Sequence, residues 1–104
     1  MVINVHTPNR AARIVMHERF DVTTYHEFRK SYTPLLDDSA ISEIEIELSA
    51  VSFLDSSALD MLMQLKERAA VTNKSISLLN ASILMSRALE ITDLSDMFNV
   101  RHAA

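Results

Sequence analysis

The chain has 104 residues, 48% hydrophobic and 23% charged, a balance that suits one compact domain over residues 1–104 and excludes a disordered segment. Ten Lys and Arg against fourteen Asp and Glu leave a formal charge of −4 with no basic run longer than Arg29-Lys30, so a nucleic-acid partner is not expected. Cysteine and glycine are both absent, which removes disulfides, thiolate metal sites and the glycine-dependent loops that cradle phosphates or dinucleotides.

In chain order, Val2, Ile3 and Val5 lead through Thr7-Pro8-Asn9-Arg10 to the apolar run Ala11–Met16, the pattern of a hairpin on a proline-containing turn. From Thr24 the period changes. Tyr25, Phe28, Tyr32 and Leu35 share one helical face, Thr24-x-x-Glu27 has the form of a capping box, and Pro34 should end or kink this helix in its last turn. After the polar break Asp37-Asp38-Ser39, Ile44, Ile46 and Leu48 alternate with Glu43, Glu45 and Glu47 as in a strand with one more exposed face, and Val51–Leu54 forms a second short apolar run. A helix from Ala58 to about Val71 buries Ala58, Met61, Leu62, Leu65 and Ala69, and Asn73 offers a left-handed cap in place of glycine. Ile76, Leu78 and Leu79 make a further strand, a helix carrying Leu84, Ala88 and Ile91 follows Ala81-Ser82, Leu94–Phe98 forms a short helical turn, and Val100 closes with a stub of strand. The order predicts an α/β (α+β) layer fold: a mixed sheet of four to five strands, with the first strand on an antiparallel edge and three to four helices packed on it.

Little of this carries catalysis. His6, His17, His26 and His102 lack the spacing that places two imidazoles on one helix face, so no metal is expected. No cofactor is expected either. No nucleophile, base and oxyanion donor stand out together, and the chain does not have the pattern of an enzyme. Glu43, Glu45 and Glu47 fit a solvated face or a protected sheet edge. The methionines Met61, Met63, Met85 and Met97 fit adaptable core and rim packing. Asp55-Ser56-Ser57 differs because it stands where a strand gives way to a helix. A serine there serves as an N-cap worth about 1 kcal/mol. A helix N-terminus also accommodates a phosphate, so a hydroxyl at that place can be phosphorylated without unfolding the domain. Both readings stand on the residues alone. No leader-like apolar core occurs in Met1–Asn9 and no stretch nears the ~20 apolar residues of a membrane span, so a cytoplasmic protein without membrane insertion is expected.

Phe53-Leu54-Asp55-Ser56-Ser57-Ala58-Leu59, between a strand and an amphipathic helix, resembles the signature of STAS domains of the anti-sigma factor antagonist (anti-anti-sigma factor) type. The likeness extends to Arg19-Phe20-Asp21 before the first helix and to Ala88–Leu94 with Met97-Phe98 near the end, and it covers Val2 to Val100. The resemblance implies a bacterial partner-switching protein. Its unphosphorylated form would bind an anti-sigma factor or related serine kinase, phosphate on Ser56 would release it, and a serine phosphatase would restore it. Asp21, Asp55, Ser56, Ser57, Ala58 and Asp60 would form the partner-binding surface. The alternative is a non-switching STAS subunit of a transporter or sensory assembly. Ala58, Asp60 and Glu18 stand where the family commonly has glycine.

Overall fold

The computed structural model describes residues 2–6 and 10–101; Thr7, Pro8 and Asn9, where the proline-containing turn is expected, and also His102, lie outside them. Strand β1 (Val2–His6) is followed by β2 (Ala11–Phe20), a 3-10 turn (Val22–Thr24), helix α1 (Tyr25–Leu36), β3 (Glu43–Leu54) and α2 (Ser56–Val71). Then come β4 (Ser75–Leu79), α3 (Ile83–Ile91), a second 3-10 turn (Ser95–Met97) and β5 (Asn99–Arg101). The strands lie in the order β1-β2-β3-β4-β5.

The helix-bearing body of the sheet is uniform, and the antiparallel relation is confined to the edge strand β1. The four strands that position the helices, β2 to β5, are parallel throughout. Each of those connections is a crossover, which forces the parallel sense. β1 joins this parallel body as a hairpin arm running antiparallel to β2.

One sheet face carries the core. Ala12, Ile14 and Met16 of β2, Ile44, Ile46 and Leu48 of β3, and Ile76 and Leu78 of β4 are buried together with Phe28, Tyr32 and Leu35 of α1. From α2 come Ala58, Met61, Leu62, Leu65 and Ala69, the stripe its spacing predicts. Phe28 links strand and helix, its ring 5.2 Å from both Phe20 and Tyr32.

The opposite face is polar but not a solvated edge. β3 is interior to the sheet, and Glu45 is buried between Arg13 of β2 at 3.3 Å and Arg101 of β5 at 3.0 Å. Glu43 takes Arg101 and the Ser77 hydroxyl, and Glu47 takes the Asn80 amide. Sequence alternation finds the face, but only the cross-strand register reveals the partners.

Three local readings change. Val51–Leu54 continues β3 as part of one twelve-residue strand. Thr24 makes no side-chain cap; the capping box sits one step earlier, between Asp21 and Thr24, because a 3-10 turn precedes the helix. Pro34 lies in the last turn of α1, which stops at Leu36 two residues later with Leu35 and Leu36 buried. In α3 the buried residues are Met85 and Leu89, whereas Leu84 and Ile91 are exposed and Ala88 is half-buried.

Candidate functional site

Two aspartates end neighbouring strands and cap the segments that follow. Phe20 of β2 is in register with Leu54 of β3, so Asp21 and Asp55 are the next residues along adjacent parallel strands. Both have extended backbone, and each accepts from the backbone N–H two residues on, Thr23 N at 3.0 Å and Ser57 N at 3.0 Å. In each case the hydroxyl of that second residue, Thr23 or Ser57, also donates to the same carboxylate oxygen. Asp21-Val22-Thr23 and Asp55-Ser56-Ser57 are thus two copies of one device, an aspartate gripping the hydroxyl residue two places later.

This separates the two serines. Ser57 is half-buried and its hydroxyl is engaged by Asp55. Ser56 is exposed, opens α2, and makes no side-chain hydrogen bond among the described residues. The cap is therefore Asp55, not a serine, and the Ser56 hydroxyl has no structural duty. Asp60 lies one helical turn beyond Ser56 on the exposed side, close enough for its charge to be felt there.

The remaining expected site residues divide by burial. Ala58 is fully buried against the sheet, where a longer side chain would meet the core. Asp21 is 2% exposed, so it shapes the site from beneath and offers little surface to a partner. Its carboxyl lies below the ordinary value of 3.8. The Thr23 hydroxyl bond lowers it most, burial works in the opposite direction, and Arg19 and the Thr23 N–H lower it further.

Arg19, Val22 and Phe53 join the site although spacing alone does not single them out. Arg19 donates Nε and Nη2 to one oxygen of Asp21 at 2.9 and 2.6 Å. Its guanidinium also lies 4.4 Å above the Phe53 ring, the residue opposite it in β3. Phe53 is 46% exposed and Val22 67%, leaving an apolar rim beside Ser56. The bulge that aims Arg19 falls at Glu18, whose φ of 52° is in the left-handed region. The available sequence signal was the repeated Asp-x-Thr/Ser pattern at the ends of two apolar runs.

A helix-opening serine with a free hydroxyl is thus set on an aspartate cap at the carboxyl ends of parallel strands. The chain matches the family described as "Mlab, STAS domain" over residues 3–100, and it belongs to the STAS domain family. A STAS-domain containing protein of Pseudomonas aeruginosa is 33% identical over 89 residues, covering 84% of each chain. An anti-sigma-B factor antagonist of Staphylococcus aureus is 26% identical over 98 residues, covering 94% of this chain and 90% of that one. Among solved structures, the anti-sigma factor antagonist SpoIIAA in its unphosphorylated form superposes with a TM-score of 0.75 at 16% identity, covering 99% of this chain and 87% of that one. The phosphorylated form of the Bacillus protein SpoIIAA gives the same TM-score at 17% identity, covering 99% and 92%. Among the described residues no helix is long and apolar enough to cross a membrane, and no group of three or more His, Cys, Asp or Glu could hold a metal ion.

Proposed function

We propose that the chain is the switching component of a bacterial partner-switching circuit, a cytoplasmic binding protein of one regulatory domain, and that Ser56 is its phosphorylation site. The observation that carries this reading is the division of labour at the start of α2. Asp55 caps the helix and holds Ser57, so Ser56 is exposed and free to react. Unphosphorylated, the chain docks on an anti-sigma factor of the serine kinase type through the exposed ground around Ser56. The kinase then passes the γ-phosphoryl group of ATP to Ser56 Oγ. The new O–P bond forms as the bond to ADP breaks, and the hydroxyl proton leaves to a base on the kinase. A serine phosphatase hydrolyses the ester with water and restores the hydroxyl.

The phosphate adds ≈ −1.5 to −2 charge. It enters ground that Asp55 and Asp60 already make acidic, and a docking partner would have to strip water from all of it. Release follows from the interface and not from unfolding, because negative charge suits the positive end of a helix. Titration calorimetry against the kinase partner tests this. Ser56→Ala should bind as the unphosphorylated wild type does, and the phosphorylated chain should bind at least tenfold more weakly. Equal affinities would contradict the switch, and absence of any phosphorylated form in cells would favour the non-switching subunit.

A further inference from the structure

Phosphate on Ser56 would enter a neighbourhood of three aspartates, and the ion pairing described there brings in one cation, Arg19. Its side chain is 54% exposed, although its partner Asp21 is buried. Asp21 occupies Nε and one N–H of Nη2, both directed at a single oxygen. Among the described residues the other edge of the guanidinium, Nη1 and the outer N–H of Nη2, has no acceptor. A guanidinium can present two donor edges at once, and the free edge matches the oxygen spacing of a phosphate.

Placement supports the match. Arg19 lies opposite Phe53, over whose ring its guanidinium sits, and the residue beside Asp21 on the next strand is Asp55, immediately before Ser56. The Phe53 ring below and the Asp21 carboxylate on one side fix the plane of the guanidinium, so little freedom is lost when a second acceptor arrives. The bulge at Glu18 is what turns Arg19 to this place.

We propose that Arg19 is the internal counter-ion of phosphorylated Ser56, holding the phosphate with its free edge while it keeps Asp21 with the other. This rests on Ser56 being the phosphorylated residue, and it adds a mechanism to the switch. A phosphate fixed by Arg19 is pinned beside Phe53 and Val22, the exposed apolar rim, so that docking on the rim requires the phosphate to be desolvated as well.

The test uses the full chain with phosphoserine installed at position 56 during synthesis, so no kinase or partner is needed. The phosphorus resonance is followed against pH in the wild type and in Arg19→Gln, Arg19→Lys and Arg87→Gln. A sheltered cation moves a neighbouring acid by one to three units. Half-exposure discounts that effect, so the second phosphate ionisation in the wild type should lie about half a unit below that in Arg19→Gln. Arg19→Lys should recover part of the difference, and Arg87→Gln should match the wild type. The Arg19 Nε–H resonance of the wild type should also shift on phosphorylation, which requires no variant to fold. An unmoved Nε–H, or identical titrations in folded wild type and Arg19→Gln, would overturn the pairing. Either result would leave the switch itself standing. A chain never phosphorylated in cells would remove the switch without altering these titrations.

Discussion

At the residue scale the site is held by side chains whose tasks are not interchangeable. Glu18 adopts φ 52°, and a left-handed conformation costs a residue with a Cβ roughly 1–2 kcal/mol. Glycine loses more entropy on folding, which cancels part of the gain. Glu18→Gly should therefore stabilise the chain by about 0.5–1 kcal/mol in denaturant unfolding. Unchanged or lower stability would show that the bulge is not strained. Asp21 gives a pH signature. Its folded value lies below the ordinary one, so its ionised form favours the folded state. That contribution is complete above the unfolded value near 3.8 and is lost as pH falls through the lowered folded value. Asp21→Asn should flatten the fall of stability with acid below about pH 4, measured by melts across that range. The paired aspartates show what a sequence can hide at this scale. Asp55-Ser56-Ser57 was visible, but which oxygen caps and which hydroxyl stays free depends on side-chain rotation, which residue spacing does not encode.

At the element scale, α2 was legible because its apolar stripe is complete and every predicted member is buried. α3 was not, because its nine residues carry apolar side chains on more than one face and periodicity cannot choose among them. Packing chose Met85 and Leu89 and left Ile83, Leu84 and Ile91 exposed. Leu89→Ala should cost about 2–5 kcal/mol, whereas Leu84→Lys should change stability by no more than about 0.5 kcal/mol. The reverse order in urea unfolding would place the other face inward. The parallel sense of β2 to β5 follows from the crossovers, and the antiparallel pairing is confined to β1. The glutamates of β3 carried the same ambiguity. Alternation marked their face, and only register showed that Arg13 and Arg101 reach them from two other strands.

At the scale of the whole molecule, the sheet directs the carboxyl ends of β2 and β3 to one place, and both the caps and the apolar rim follow from that. Family membership was legible because the motif, the element order and the length agree, and the match extends over residues 3–100. Arg19 and Phe53 were not legible as a pair, since they are distant in sequence and meet only through register. On the proposed reading, a phosphate placed on such a framework would change what can dock and leave the core beneath intact. The central claim is that Ser56 alone accepts that phosphate, and site-resolved mass spectrometry after incubation with the kinase partner and ATP tests it most directly. The account predicts one phosphate on Ser56 in the wild type and in Ser57→Ala, and none in Ser56→Ala. Phosphate on Ser57, or an undiminished modification of Ser56→Ala, would contradict it.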